Sequence, residues 1–224
     1  ESEYFFSRTA LMYVYMGHMR WKDIQPYERG FWKKNEIDLI HARAESIQFD
    51  KKCIQLNNGS TVNYDYLILA TGSKSNKYGW PGQDLSGVRG LYHKQDLEYL
   101  ERCSSGIRRA VIVGGGLIGI ELAKMFQSRN IPVSFLVREP QFWSMILPEE
   151  ESKMISRHIL QHGIDLRLNS QLKEINGDEA GKVHSVTLDS GEEIKCDYVG
   201  LTAGVSPNIK FIESSEIETD RGIL

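Results

Sequence analysis

The chain has 224 residues, of which 41% are hydrophobic, so it can bury the core of one large domain or two small ones. Its formal net charge of -3 predicts no general affinity for nucleic acid or for an anionic membrane, and no apolar run approaches the length of a membrane-spanning helix. The three cysteines lie far apart without metal-binding or disulfide spacing, which favours a reducing, cytoplasmic setting and no resident metal.

The chain opens with a stretch, residues 1–35, that is dense in aromatic and apolar side chains but lacks a strand and turn pattern. Such a stretch needs a surface against which it can bury. One interpretation is an amphipathic helix on the chain's own core, and another is a docking face for a partner protein. The interpretation we favour is that the chain begins in the middle of a fold.

The next part of the chain is expected to form β-structure and then one helix. Segments 44–49 and 53–56 alternate in polarity, and Asn57-Asn58-Gly59 after them is a strong hairpin signal. A further strand is predicted at 64–70, with its apolar latter half buried. The helix is predicted at 96–103, with its leucines facing inward.

A glycine-rich corner lies at the centre of the chain. The apolar run 110–113 predicts a buried parallel strand, and Gly114, Gly116 and Gly119 follow it as G-x-G-x-x-G, before a helical pattern and a second strand at 133–137. In this pattern the first glycine permits a sharp turn, the second lets a pyrophosphate approach the backbone, and the third lets helix and strand pack closely. The phosphates are expected on free N–H groups at the positive end of the helix. The alternative is a glycine-rich turn that binds no dinucleotide.

The remainder of the chain predicts one helix and four strands. The helix is expected to start at 147–151, because an early proline and three acids are typical of a first turn, and to end at Gly163. The strands are expected at 164–168, 183–188, 193–195 and 198–202.

Three segments together carry a family resemblance. They are 66–73 (Tyr-Leu-Ile-Leu-Ala-Thr-Gly-Ser), the glycine pattern at 114–119, and 202–208 (Thr-Ala-Gly-Val-Ser-Pro-Asn). In this order and spacing the chain resembles the FAD-dependent pyridine nucleotide-disulfide oxidoreductases. The aromatic-x-Arg-x-x-Leu pattern from Phe6 to Leu11, with no redox-active cysteine nearby, is similar to the rubredoxin, ferredoxin and nitrite reductase branch.

The resemblance implies an α/β fold in which a Rossmann-like NAD(P) domain, with a parallel sheet and a β-hairpin, is nested in an incomplete FAD-binding domain. It assigns 107–204 to the NAD(P)-binding domain, 1–106 to a partial FAD-binding domain and 205–224 to the return segment of that domain. The glycine pattern with which the family's FAD domain opens is expected to be missing here. The chain would then be a truncated, inactive piece that binds FAD poorly.

The activity that the resemblance implies is transfer of a hydride from NAD(P)H to FAD, and then of electrons to an external acceptor such as rubredoxin, ferredoxin or a nitrite reductase centre. Two alternatives stay open. One is an NAD(P)-binding sensor module without flavin or catalysis, and the other is a Rossmann-like domain that takes a different adenosine cofactor. The oligomeric state also stays open.

The candidate site residues fall into three groups. The dinucleotide is expected to contact Gly114, Gly115, Gly116, Leu117, Ile118, Gly119, Arg138 and Gly204. By resemblance, the flavin is expected to contact Arg8, Ala70, Thr71 and Gly72. Glu121 matches a family glutamate near the nicotinamide and flavin, which makes it the catalytic candidate; alternatively it only stabilises the start of its helix.

The residues after the second strand are expected to select the coenzyme. An acid there would bind the ribose 2′-hydroxyl of NAD, whereas an arginine would pair with the 2′-phosphate of NADP. By the family spacing the acid position holds Val137 and Arg138 follows, which favours NADP. A shift of two residues would instead give Glu139 the NAD role.

Overall fold

A computed structural model describes residues 1–213 and 215–224, and the chain divides into two compact units. The smaller unit comprises Glu1–Phe6, Gln25–Lys74 and Ser206–Leu224, and the larger comprises Ser7–Ile24 and Ser75–Val205. These units are compact bodies of the chain, and the assignment of cofactor domains at 1–106, 107–204 and 205–224 stays a prediction.

The described residues form short and medium helices and thirteen strands. The helices are α1 (Leu11–Tyr15), α2 (Phe31–Lys34), α3 (Lys94–Cys103), α4 (Leu117–Ser128) and α5 (Glu149–Gln161), with 3-10 turns at Arg8–Ala10, Trp21–Ile24 and Ser104–Gly106. The strands are β1 (Ala44–Gln48), β2 (Cys53–Leu56), β3 (Thr61–Asn63), β4 (Ser73–Ser75), β5 (Val88–Arg89), β6 (Ala110–Val113), β7 (Val133–Leu136), β8 (Asp165–Arg167), β9 (Leu172–Gly177), β10 (Val183–Leu188), β11 (Glu193–Lys195), β12 (Tyr198–Leu201) and β13 (Val205–Pro207). Among them, no helix is both long enough and apolar enough to cross a bilayer.

A parallel sheet of five strands forms the core of the larger unit, in the order β5-β12-β6-β7-β8. Every residue of β6, β7 and β12 is buried, which is why these strands are mainly apolar rather than alternating; the buried Ser134 of β7 donates a hydrogen bond to Asp165. The α/β class and the strands expected around 110–113, 133–137 and 198–202 are confirmed. Parallel pairing also directs the carboxyl ends of these strands to one edge of the sheet.

Helix α4 packs closely on this sheet. Its residues Leu122, Ala123, Met125 and Phe126 are all buried. A Cβ added at Gly200 of β12 would lie 2.5 Å from Leu122 Cδ2, so the bare backbone of the strand is what admits the helix. Helix α3 buries Leu97 and Leu100, as predicted.

The larger unit also holds an antiparallel sheet in the order β11-β10-β9. The hairpin of β10 and β11 is confirmed, but the sequence analysis did not predict β9. In β9 the buried apolar residues Leu172 and Ile175 are three apart, and the register with β10 shifts between Thr187 and Leu188. A bulge of this kind breaks the strict alternation by which a strand is detected.

Part of the aromatic start of the chain belongs to the core of the larger unit. Tyr15 of α1 is buried, its ring lies 6.5 Å from that of Phe126, and its hydroxyl is 2.7 Å from Ser104 Oγ. The Arg129 guanidinium lies 3.6 Å from the centre of the Tyr15 ring. This part of the segment thus packs on the chain's own core, whereas the interpretation that the chain begins in the middle of a fold stays a prediction.

The smaller unit contains an antiparallel sheet in the order β1-β2-β3, which confirms both predicted strands and the hairpin after them. The strand predicted at 64–70 is wrong. Described residues form no strand there, and Tyr66 and Ile68 are 94% and 90% exposed. A strand is stabilised by hydrogen bonds to a neighbouring strand, and no described strand pairs with this run.

Candidate functional site

The chain turns sharply where β6 ends, and the local geometry requires glycine at two positions. Gly114 has φ +115°, and a Cβ there would lie 2.7 Å from both the carbonyl carbon and the oxygen of Thr202. A Cβ on Gly119 would lie 2.9 Å from Thr202 Oγ1 and 3.0 Å from a ring carbon of Phe135. These two glycines therefore let α4 start directly against the ends of β6 and β12.

The second glycine of the pattern has a different environment. Gly116 precedes α4 with extended backbone, no side chain caps the helix, and a Cβ on Gly116 would meet nothing within 4 Å. Within the described residues, none of the N–H groups of 115–119 donates a hydrogen bond to the protein. Free N–H groups at a helix N-terminus carry partial positive charge, so at this corner they can donate hydrogen bonds to phosphate oxygens.

Thr202 holds the corner from the neighbouring strand. Its backbone N–H donates to the Val113 carbonyl at 2.9 Å, and its Oγ1 donates to the same oxygen at 3.0 Å and lies 3.3 Å from that of Gly114. The side chain is buried. In the sequence this threonine is marked only as part of a family segment, because a bond between residues 89 apart leaves no local signal.

A pocket of about 450 Å³ opens beside the corner, entirely within the larger unit. Five predicted residues line it: Gly114, Gly115, Gly116, Arg138 and Gly204. Predicted residues Leu117, Ile118 and Gly119 form the first turn of α4 next to it. Glu139, the alternative coenzyme-selecting acid, also lines the pocket. The other lining residues have no predicted contact with the dinucleotide; they are Tyr78, Trp80, Val113, Leu136, Trp143, Ser144, Met145, Ile146, Ser170, Gln171, Leu172, Thr202 and Ala203.

An ion pair lies on the β7 side of the pocket. Arg138 Nε donates to Glu139 Oε1 at 2.7 Å, and this bond raises the pKa of the guanidinium. The Arg138 side chain is 69% exposed whereas that of Glu139 is 22% exposed. Glu139 is thus the better enclosed of the two charges that face the pocket.

The backbone on the β12 side is held by a second network. Asn76 N–H donates to the Gly204 carbonyl at 3.1 Å, and the Tyr78 hydroxyl donates to the Ala203 carbonyl at 2.9 Å. Asn76 Nδ2 in turn donates to the Tyr78 hydroxyl at 3.1 Å. These bonds fix the chain where it leaves β12 at the pocket edge.

The catalytic candidate lies on α4 outside the pocket lining. Glu121 is half-buried, and burial raises the pKa of its carboxyl above the ordinary value. Arg8 lies in the larger unit as well, but its guanidinium stacks 4.5 Å from the Tyr92 ring centre and donates to the Tyr92 carbonyl. The structure therefore does not bring Arg8 to the glycine corner.

The remaining flavin candidates belong to the smaller unit. Asn208 N–H donates to the Gly72 carbonyl at 2.9 Å, and Asn208 Nδ2 donates to that of Thr71 at 3.1 Å. Ala70 precedes them and is exposed. These contacts stabilise the turn at 71–72 and leave its role as a flavin contact a prediction.

A known protein family matches nearly the whole chain, including the site described above. The sequence matches the family described as pyridine nucleotide-disulphide oxidoreductase over residues 4–224. The chain belongs to this family. The match includes the glycine corner and every strand of the parallel sheet.

The relatives of this chain include rubredoxin, ferredoxin and nitrite reductases, the branch that the sequence resembles. The chain is 27% identical over 196 residues to the rubredoxin-NAD(+) reductase of Ectopseudomonas oleovorans, covering 87% of this chain and 51% of the relative. It is 27% identical over 220 residues to the NAD(P)H nitrite reductase of Bacillus subtilis strain 168, covering 98% and 27%. A ferredoxin reductase structure from Rhodopseudomonas palustris superposes with a TM-score of 0.92 at 24% identity, over 100% of this chain and 55% of the other, and shows the shared fold. The chain thus spans about half or less of the length of these relatives.

Proposed function

We propose that the glycine corner binds the pyrophosphate of a nicotinamide dinucleotide, and that residues 107–204 are the NAD(P)-binding domain of an NAD(P)H oxidoreductase. Residues 1–106 and 205–224 would then belong to its FAD-binding part. The observation that carries the proposal is the combination at the corner: Gly114 and Gly119 are sterically required, a Cβ on Gly116 would meet open space, and the N–H groups of 115–119 donate to no acceptor among the described residues.

The proposed reaction is oxidation of NAD(P)H with FAD as the first acceptor and an external carrier such as rubredoxin or ferredoxin as the second. A bound flavin would supply the conversion from two-electron to one-electron transfer. In this chain, the corner would orient the dinucleotide, and Glu121 would present a carboxyl whose proton is retained more readily because of its burial. Arg8, Ala70, Thr71 and Gly72 remain the proposed flavin contacts.

We infer that NADH is the preferred coenzyme, and not the NADP that the residue order after β7 favours. Glu139 is the more enclosed charge at the pocket, and its carboxylate also neutralises the neighbouring Arg138. A ribose diol can donate hydrogen bonds to this carboxylate, whereas a 2′-phosphate would be repelled by it. We expect NADH to bind more tightly than NADPH and the Glu139→Gln variant to reduce that difference. Tighter binding of NADPH by the unmodified chain would contradict this choice.

The proposal is tested by calorimetric titration of the 224-residue chain with NADH and NADPH. Gly116→Glu fits the extended backbone and the open space, but it places an anion where the pyrophosphate would bind. It should weaken coenzyme binding by at least about tenfold, or ~1.4 kcal/mol. Gly106→Glu is the matched control, because a Cβ there also meets nothing within 4 Å and Gly106 lies outside the pocket lining. Absence of binding by the unmodified chain, or equal binding by Gly116→Glu, would overturn the proposal.

A further inference from the structure

The pocket wall that follows β7 contains a tryptophan in an unusual conformation. Trp143 has φ +60°, in the left-handed region that bulky residues rarely adopt, and it lines the pocket together with Met145 and Ile146. Such a backbone persists only where the surrounding structure enforces it, and it concentrates at ligand-binding positions. The sequence analysis assigned no role to this segment.

Neighbouring contacts hold the tryptophan in place. The N–H groups of Ile146 and Leu147 both donate to the Trp143 carbonyl at 3.0 Å. The preceding Phe142 is buried, with its ring 5.8 Å from that of Phe135 and 6.2 Å from that of Trp143. The indole therefore lies on a closed turn that is anchored by buried Phe142, although Met145 and Ile146 of the same turn are exposed.

Sheet order then decides which part of a dinucleotide this ring would meet. The corner follows β6, which lies between β12 on one side and β7 on the other. In this type of fold the adenosine ribose binds at the end of the strand corresponding to β7. Glu139 and Trp143 both follow that strand and both line the pocket. We propose that the Trp143 indole stacks on the adenine base of the dinucleotide, an inference that rests on the proposed function.

The other aromatic residues of the pocket are less suited to this role. The Tyr78 and Trp80 rings pack edge to face on each other, 5.2 Å apart at 75°. The Tyr78 hydroxyl is bonded to Ala203, which follows β12, on the opposite side of the corner from β7. Trp143 is thus the pocket aromatic that belongs to the adenosine side.

The test is titration of the chain with ADP-ribose, which carries adenine and pyrophosphate without nicotinamide. Trp143→Asn removes the ring while asparagine tolerates the left-handed backbone, so the turn is retained. Loss of one base-stacking contact should weaken ADP-ribose binding by about 5- to 150-fold. Trp143→Phe keeps an aromatic face and should retain most of the affinity. Met154→Ala is the control, because this side chain is 57% exposed on α5 and lies outside the pocket lining, so the variant should neither unfold the chain nor change binding.

A spectroscopic readout accompanies the affinities. ADP-ribose should quench the tryptophan fluorescence of the unmodified chain, and the quenching should be reduced in Trp143→Phe, in which Trp80 is the tryptophan that still lines the pocket. Unchanged affinity in Trp143→Asn, or an equal loss in Met154→Ala, would overturn the stacking role alone if Gly116→Glu still weakens binding. If the unmodified chain binds neither ADP-ribose nor NADH, the proposed function falls and the stacking role falls with it.

Discussion

Two apolar runs of similar composition differ in burial and in backbone structure: one forms a buried strand and the other does not. Residues 110–113, Ala-Val-Ile-Val, form the buried strand β6 with parallel neighbours on both sides. Residues 67–70, Leu-Ile-Leu-Ala, form no strand among the described residues, and Ile68 is 90% exposed. Hydrophobicity alone therefore does not make a strand; a neighbour in register must satisfy its backbone groups.

The largest expected contrast between the two runs is in core stability. Ile112 is fully buried, so Ile112→Ala should lower the free energy of unfolding by about 2–5 kcal/mol, through lost burial and the cavity left behind. Ile68→Ala removes the same atoms from an exposed position and should change stability by less than about 0.5 kcal/mol. Urea unfolding followed by circular dichroism measures both. A comparable loss in Ile68→Ala would mean that residues 67–70 are buried in solution.

The next contrast is between the turns that follow the two runs. Gly114→Ala combines positive φ with a Cβ 2.7 Å from Thr202 and should cost more than the ~1–2 kcal/mol of the left-handed backbone alone. Gly72→Ala has φ +65° and open space, so only the conformational cost should appear. The same unfolding assay ranks the two variants. An equal loss of unfolding free energy in the two variants would show that a Cβ at position 114 does not clash with Thr202.

A smaller contrast concerns the side chains that hold these turns. Thr202→Val removes a buried hydroxyl bonded at the corner and should destabilise the chain by about 1 kcal/mol or more, because carbonyl acceptors lose a partner. Asn208→Ala removes one bond to Thr71 from a partly exposed site and should cost less than about 1 kcal/mol. Thermal unfolding of both variants gives the order. If Asn208→Ala were the more damaging change, the corner would not be the better-anchored turn.

The smallest expected effect is the contribution of Glu121 to the pH dependence of the free energy of unfolding. Burial raises the pKa of this carboxyl above 4.5, so its stabilising contribution is complete below the unfolded pKa and is lost as pH rises through the folded value. Glu121→Gln should therefore be more stable than the unmodified chain at pH 7, with the difference shrinking as pH falls towards 4. Glu45→Gln, at an exposed position on β1, is the control. A Glu121→Gln variant that is less stable at pH 7 would exclude burial as the main influence.

Most of the parallel sheet could be predicted from the sequence, because its strands are short apolar runs separated by clear turn signals. The corner was also predictable, since Gly114, Gly116 and Gly119 each serve a distinct physical purpose in a known spacing. The bulged strand β9 was not, because its buried residues do not alternate. Exposure of 67–70 was not predictable either, since it depends on which strands lie beside the run.

The aromatic side of the pocket could not be predicted from the sequence, for a related reason. Trp143 reaches the pocket through a left-handed backbone in a loop, and no periodic pattern encodes that geometry. Tyr78 and Asn76 reach the end of β12 from more than 120 residues earlier in the chain, as the separation of 125 between Tyr78 and Ala203 shows. Contacts of this range become visible only when the sheet order is known.

If the backbone corner after β6 receives the pyrophosphate of a nicotinamide coenzyme, its amides must respond when the coenzyme binds. The most direct measurement is a nuclear magnetic resonance titration of the isotopically labelled chain with NADH, with amide shifts assigned by residue. The amides of 115–119 should show the largest shifts, while those of 67–70 should stay unchanged. Saturable binding that leaves the amides of 115–119 unshifted would contradict it.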